Sequence, residues 1–146
     1  MTNTPISPTK YGDTPTGRIA TIMATVSTIA VIGASNKPDR ASYRVMRFLV
    51  ERGYDVIAVN PGLAGGQIDT TPVVASLADI DRPVDMVDVF RASDALPAIV
   101  DAAIAIDARV LWTQLGVIHD AAADRAAAAG LQVIVDRCPM IEFRRD

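Results

Sequence analysis

The sequence is poor in the residues that stabilise small proteins covalently or through metal ions. It contains one cysteine, Cys138, and one histidine, His119, among 146 residues. One cysteine excludes an intramolecular disulfide, and no CxxC or HExxH motif predicts a metal site. We therefore expect no bound metal, and a lone thiol fits a reducing cytoplasm.

The chain also lacks a strong excess of charge of either sign. Fourteen basic and 17 acidic residues give a net charge of -3, with an isoelectric point near 5.0. No global field would recruit nucleic acid or anionic lipid, so any anion site must be local. No apolar stretch approaches the length that spans a membrane. We expect a cytoplasmic protein with neither a nucleic acid nor a membrane as partner.

The composition predicts one domain behind a short tail. Hydrophobic residues make up 50% of the chain, which suffices for one core at this length. The opening "MTNTPISPTKYGDTPTG" is rich in Thr, Pro and Gly and lacks the apolar core of a signal peptide. We predict a flexible tail over residues 1–14 and a single domain over 15–146. That domain begins with an amphipathic helix, because four apolar residues follow at helical spacing: Ile19, Ile22, Met23 and Val26.

Apolar strands alternate with helical patterns through the rest of the chain. The strand segments are "TIAVIG", "DVIAVN", "VDMVDVF", "RVLW" and "LQVIVD", and helical patterns separate them. Apolar runs are typical of strands buried on both faces, so the pattern predicts a doubly wound, Rossmann-like α/β fold. We expect a five-stranded, mainly parallel sheet in the order 3-2-1-4-5, with helices on both faces. In such a fold the ligand-binding crevice lies where the winding of the sheet reverses, which we expect beyond the carboxyl ends of strands one and four.

The turn after the first strand has features of a phosphate site. Of the glycines in the dinucleotide fingerprint only Gly33 is present, but it lets the backbone approach a ligand, and Ser35 adds a hydroxyl. Lys37 and Arg40 place cations at a helix N-terminus, where they are unfavourable unless an anion binds. A solvated loop that caps a helix remains the alternative. Farther along the helix, Arg47 is interpreted as a solvated partner of Glu51.

The next two strand ends bear on which nucleotide would bind. Asn60 and Pro61 end the second strand where NAD enzymes carry a ribose-binding carboxylate, and no arginine follows to receive the 2′-phosphate of NADP. A simple Asn-Pro turn would explain the same residues. At the end of the third strand, Phe90 and Arg91 are suited to flank a purine and a phosphate. Core packing of Phe90 and solvation of Arg91 are equally open.

Four separated motifs carry a resemblance to a known family. In order they are "GASNKPDRASYRVMRFLVERGYDVIAVNP", "VDMVDVFR", "LWTQLGV" and "VDRCPMIE". Over roughly residues 19–142 the chain resembles the small stand-alone CoA-binding proteins of bacteria, which are related to the CoA-binding domain of the succinyl-CoA synthetase α subunit. The resemblance implies a Rossmann-like domain that holds the ADP moiety of coenzyme A across the crevice. The loop "GLAGGQIDTTPVV" is shorter than expected for the family, which leaves its contacts open.

The resemblance also assigns contacts to particular strand ends. It implies phosphate contacts after the first strand, nucleotide contacts after the second, adenine and ribose contacts around the end of the third, and a contact along the pantetheine arm after the fourth. In that order the residues are Gly33, Ala34, Ser35, Lys37 and Arg40; Asn60 and Pro61; Val89, Phe90 and Arg91; and Gln114.

The predicted function is therefore binding of coenzyme A, or an acyl-CoA, without catalysis. Coenzyme A carries a 3′-phosphate on its ribose, so an absent ribose carboxylate and additional cations favour it over NAD. In succinyl-CoA synthetase a phosphorylated histidine in a second domain does the chemistry, whereas His119 is interpreted here as a helix cap. Cys138 is interpreted as a buried structural residue, with a thiolate favoured by Arg137 as the alternative.

Two other classes of function stay open from the sequence. One is an NAD(P)-binding oxidoreductase, and the other is a regulatory or interaction subunit whose nucleotide site is vestigial. A homo-oligomer or a protein partner is compatible with each of these readings.

Overall fold

The structure, a computed structural model, describes Tyr11 and residues 17–145. The rest of the predicted tail over residues 1–14 lies outside the described residues. The Tyr11 hydroxyl donates to Asp124 Oδ1 at 2.6 Å, and the Tyr11 carbonyl accepts from the backbone N–H of Val135 at 3.2 Å. The tail and the single-domain boundary stay predictions.

Strands and helices alternate along the described chain. The strands are β1 (Thr28–Ile32), β2 (Asp55–Val59), β3 (Gln67–Ile68), β4 (Thr71–Val74), β5 (Met86–Val89), β6 (Val110–Thr113) and β7 (Gln132–Ile134). The helices are α1 (Arg18–Thr25), α2 (Ala41–Glu51), α3 (Leu96–Ala105), α4 (Asp120–Ala128) and α5 (Pro139–Arg145).

The seven strands of the described chain form one sheet in the order β3-β4-β2-β1-β5-β6-β7. Neighbouring strands run parallel except for β3, which is antiparallel to β4. The Rossmann-like α/β class with a mainly parallel sheet is confirmed, but five strands in the order 3-2-1-4-5 is wrong. The predicted third strand is β5, and it pairs with β1 rather than lying outside β2.

The missed strands explain the wrong order. Both lie in the segment "GLAGGQIDTTPVV", where β3 has two residues and β4 has only two apolar residues after Thr71 and Pro72. Pro72 interrupts the apolar run of β4, and proline is tolerated there because the pairing with β2 begins only at Val73 and the strand on the other side, β3, has only two residues. Once β4 occupies the place beyond β2, the winding reverses between β1 and β5. The crevice therefore lies at the carboxyl ends of those two strands, not at strands one and four as predicted.

Two apolar layers cover the sheet. Because successive strand residues point to opposite faces, Ile29 and Val31 of β1 pack with α1, α2 and α5, while Ala30 and Ile32 pack with α3 and α4. All five residues of β1 are buried. Each fully buried aliphatic side chain contributes about 1.5–3 kcal/mol, so this central strand anchors the site at its end.

Several side chains have the roles expected from the sequence. Cys138 is 4% exposed in the layer that contains α2, as the structural interpretation expected. His119 caps α4, since its Nδ1 accepts from the backbone N–H of Ala122 at 3.1 Å. Arg47 pairs with Glu51 at 3.4 Å. The amphipathic α1 buries Ile19, Ile22 and Met23.

Two features are absent from the described residues. Among residues 17–145, none of the helices is both long enough and apolar enough to cross a membrane. No set of three or more His, Cys, Asp or Glu side chains in the described chain is arranged to hold a metal ion.

Candidate functional site

The site is organised by the turn that follows β1. Gly33 has a φ of +80°, and its backbone N–H donates to the Val59 carbonyl at 3.1 Å. A Cβ at this position would lie 3.2 Å from the Phe90 carbonyl carbon and oxygen, and 3.2 Å from Arg91 Cδ. Glycine is therefore needed both for the left-handed conformation and for the close approach of two strand ends.

Two clefts open on either side of this contact, and both are lined by Gly33 and Phe90. The β4-side cleft, about 500 Å³, is bounded by the ends of β1, β2, β4 and β5 and by α3; its other lining residues are Ile32, Ala34, Val59, Asn60, Pro61, Ala75, Ser76, Leu77, Arg91, Ala95, Ala98, Ile99 and Ala102. The β6-side cleft, about 420 Å³, is completed by Ser35, Lys37, Arg40, Ala41, Ser42, Gln114, Leu115 and Val117.

The structure brings ten of the eleven predicted site residues to these clefts. Gly33 and Phe90 line both clefts. The predicted residues that line only the β4-side cleft are Ala34, Asn60, Pro61 and Arg91, and those that line only the β6-side cleft are Ser35, Lys37, Arg40 and Gln114. The exception is Val89, which is fully buried within β5. Val89 lies in the apolar layer formed with α3, so it supports Phe90 from below and does not reach either cleft.

Sequence reasoning missed the wall of the β4-side cleft. Ser76 and Leu77 follow β4, whose interrupted apolar run does not predict a strand. Ala98 and Ala102 are four residues apart on α3, so they present small side chains to the cleft from one helix face. The four-residue spacing of these alanines was the feature of the sequence that could have indicated this wall of the cleft.

The Asn60 amide is committed to holding the two loops together. Its Nδ2 donates to the Ala34 carbonyl at 2.8 Å, and its Oδ1 accepts from the backbone N–H of Gly62 at 2.8 Å. An aspartate here could make only the second of these bonds, because a carboxylate has no donor. The asparagine at the NAD-diagnostic position thus positions the turn after β1.

The N-terminus of α2 is open on the β6-side cleft. Arg40 occupies the N-cap position without a side-chain capping bond, and no acidic residue lies in the first turn. The Ser35 hydroxyl instead accepts from the backbone N–H of Lys37 at 3.1 Å, which shapes the preceding turn. Uncapped first-turn amides and the positive end of the helix dipole attract an anion.

Three cations surround the turn at Gly33. Lys37, Arg40 and Arg91 are exposed, and none forms a salt bridge within the described chain. Elsewhere arginines do find acidic partners: Arg47 lies 2.9 Å from Asp69, and Arg82 lies 2.7 Å from Asp55. The charge excess near Gly33 is therefore local, in a chain that is acidic overall.

A buried carboxyl lies beneath this region. Asp88 is fully buried in β5, opposite Val31 and Trp112, on the sheet face that packs against α2. Neither of its carboxyl oxygens has a hydrogen-bond partner in the described chain. Burial raises the pKa of Asp88 well above its ordinary range, because the interior disfavours the charged form. An acidic residue inside an apolar strand was the signal that sequence reasoning passed over.

The polar residues after β7 lie outside both clefts. Asp136 Oδ1 accepts from the backbone N–H of Gly116 at 2.7 Å, and Arg137 lies 3.5 Å from Glu142. Cys138 is buried, and none of these residues lines either cleft.

The region of the chain that resembles known proteins includes all residues of this site. Residues 27–144 match the family described as a CoA binding domain. The uncharacterized protein YneT of Bacillus subtilis strain 168 is 38% identical over 110 residues, which are 75% of this chain and 80% of that protein. Both clefts fall within residues 27–144.

Solved structures of similar proteins share the fold along most of the chain. A hypothetical protein from Pyrococcus horikoshii OT3 is 32% identical, with a TM-score of 0.87, over 97% of this chain and 98% of its own. A Thermus thermophilus protein described as cell-free ID.343 is 37% identical, with a TM-score of 0.83, over 87% of this chain and 95% of its own.

Proposed function

The chain belongs to the CoA-binding domain family, and from this membership we propose that it binds coenzyme A or an acyl-CoA across the two clefts. The observation that carries the proposal is the set of three unpaired cations around Gly33, beside an uncapped helix N-terminus. The phosphates of coenzyme A would neutralise charge that the described chain leaves without acidic partners.

The phosphates would lie against the turn after β1. Backbone amides of the first turn of α2 supply directed donors, and the helix dipole adds partial positive charge. Lys37 and Arg40 add full charges from the same side, since both line the β6-side cleft. Side-chain cations thus supplement the amides in a loop that has only one of the fingerprint glycines.

The adenosine would occupy the β4-side cleft. At about 500 Å³ this cleft is within the range of small-molecule sites, and its walls are mainly apolar. Phe90 and Pro61 offer flat surfaces near the strand ends, while Ala98 and Ala102 leave room on the side of α3. Apolar contact and stacking would hold the base.

The pantetheine arm would run along the β6-side cleft past Gln114. Gln114 is 9% exposed, and its Oε1 has no hydrogen-bond partner among the described residues. Pantetheine carries two amide N–H groups that could donate to this acceptor if the buried oxygen turned toward the cleft. Leu115 is 53% exposed beside it and offers apolar surface to the methylene groups of the arm.

An NAD(P)-dependent oxidoreductase is the weaker reading of the same geometry. The Asn60 amide is already bonded to Ala34 and Gly62, so it does not replace the carboxylate that binds the ribose of NAD. The imidazole Nδ1 of His119 is likewise occupied in capping α4. We propose that the chain is a cytoplasmic binding protein that catalyses no reaction of its own. Binding to a protein partner or to a second copy of the chain is a further proposal.

Isothermal titration with CoA, acetyl-CoA, NAD and NADP tests the proposal directly. We expect CoA to bind at least about tenfold more tightly than NAD, which corresponds to about 1.4 kcal/mol. Comparing CoA with acetyl-CoA reports whether the thiol end matters. Equal affinities for CoA and NAD would contradict the proposal and revive the oxidoreductase alternative.

A further inference from the structure

The three cations around Gly33 are divided between the two clefts. Arg91 lines the β4-side cleft, whereas Lys37 and Arg40 line the β6-side cleft. Among the residues that line the β4-side cleft, Arg91 alone carries a charge. An anionic group that enters this cleft therefore has one cationic partner available there.

The aliphatic part of the Arg91 side chain is positioned by its contact with the turn at Gly33. Arg91 directly follows Phe90, and its Cδ would lie 3.2 Å from a Cβ placed on Gly33. The aliphatic stem thus packs over the glycine turn, between the two clefts. Its guanidinium forms no salt bridge with a described residue, so the five donors of this group stay available to a ligand.

The other polar side chains of the cleft are already engaged. Both ends of the Asn60 amide are bonded to backbone groups. The Ser76 hydroxyl donates to Asp79 Oδ2 at 3.0 Å. Neither of these uncharged side chains can neutralise a phosphate, so within this cleft only Arg91 can do so.

We infer that Arg91 recognises the 3′-phosphate of the bound coenzyme A and is the residue that distinguishes it from nucleotides lacking that phosphate. The inference rests on the proposed function, because it takes the adenosine to lie in the β4-side cleft. The 3′-phosphate is attached to the ribose of that adenosine, on the same side of Gly33 as Arg91. The pyrophosphate lies at the N-terminus of α2 with Lys37 and Arg40. A guanidinium binds a terminal phosphate through two parallel hydrogen bonds, which a single ammonium group cannot reproduce.

The test compares three Arg→Gln variants that remove the same charge at different places. Arg91→Gln changes the β4-side cleft, Arg40→Gln changes the β6-side cleft, and Arg44→Gln changes an exposed position of α2 that lines neither cleft. Each variant is titrated calorimetrically with CoA and with dephospho-CoA, which differs only by the 3′-phosphate. Thermal unfolding checks that all three remain folded.

We expect wild-type protein to bind CoA at least about tenfold more tightly than dephospho-CoA, since charge-assisted hydrogen bonds to phosphate are strong. Arg91→Gln should remove most of that difference by weakening CoA alone. Arg40→Gln should weaken both ligands by a similar factor, and Arg44→Gln should change neither by more than about twofold.

Two results would overturn the inference while the proposed function stands. Equal losses of both ligands in Arg91→Gln would place Arg91 at the pyrophosphate, and unchanged affinities would place it in solvent. Wild-type protein that binds neither CoA nor dephospho-CoA would overturn the inference and the proposed function together.

Discussion

The side chain of Asn60 ties the end of β2 to the turn after β1, because its Nδ2 donates to the Ala34 carbonyl at 2.8 Å. This bond fixes the turn on the side of the β4-side cleft. On the other side, the backbone of Gly33 lies against Phe90. The candidate site is thus held from both neighbouring strands, and removing either contact has a separate, measurable consequence.

Asn60→Asp should destabilise the protein and weaken CoA binding without creating affinity for NAD. The carboxylate keeps the acceptor for the Gly62 N–H but loses the donor, so two acceptors would face each other at Ala34. We expect a loss of about 1–3 kcal/mol in the free energy of unfolding. Denaturant unfolding and titration with CoA and NAD measure both effects. A gain in NAD affinity would show that the amide itself had excluded this cofactor.

Gly33→Ala should cost more stability than the same change at Gly53, and it alone should affect the site. Both glycines have positive φ, at +80° and +94°, so both variants carry backbone strain of about 1–2 kcal/mol. Only at Gly33 would the new Cβ meet neighbours, 3.2 Å from the Phe90 backbone; at Gly53 nothing lies within 4 Å. The difference between the two variants in unfolding free energy isolates the close approach. We expect CoA affinity to fall in Gly33→Ala and to stay unchanged in Gly53→Ala.

Asp88 should make the protein less stable as pH rises. Its pKa is raised in the folded state, so the stability it contributes is complete below the unfolded pKa of about 3.9 and is lost as pH rises toward the folded pKa. The free energy of unfolding should fall by up to about 1.4 kcal/mol per pH unit in that window. Asp88→Asn should remove this component of the pH dependence, as denaturant unfolding between pH 4 and 7 would show.

Asp85, at the amino-terminal side of β5, provides the control of opposite sign. Burial alone would raise its pKa, but hydrogen bonds from the backbone N–H groups of Thr28 and Ser27, with Arg109 beside it, lower the pKa overall. Its stability is therefore present above the unfolded pKa and is lost as pH falls through the folded pKa. Asp85→Asn should cost stability at neutral pH and least in acid. The same pH trend in both variants would contradict the assigned directions.

The predictable and unpredictable parts of this fold differ in how much local signal they carry. Fully buried strands such as β1 can be recognised in the sequence as apolar runs. The turn after β1 can be recognised by Gly33 and the cations that follow it. β3 has only two residues, and Thr71 and Pro72 remove the apolar pattern from the first half of β4. The order of the sheet therefore depends on strand pairing that no local stretch of sequence reveals. The α3 wall of the β4-side cleft was missed for a related reason, since small residues such as Ala98 gain their role only when the strand ends opposite them are known.

Cys138 should behave as a structural residue rather than a reactive one. Its side chain is 4% exposed within an apolar layer, and a thiolate must be accessible to attack a disulfide. Incubation with CoA disulfide should therefore add no mass to the native chain by intact mass spectrometry, and should add one CoA per chain only after unfolding. Cys138→Ser should lower the free energy of unfolding by about 1–3 kcal/mol, because a hydroxyl would enter an apolar site. Cys138→Ala separates this polar cost from the cost of lost volume. Native-state labelling at the rate of a free model thiol, reversed by reductant and absent in Cys138→Ser, would show instead that the layer around Cys138 opens readily.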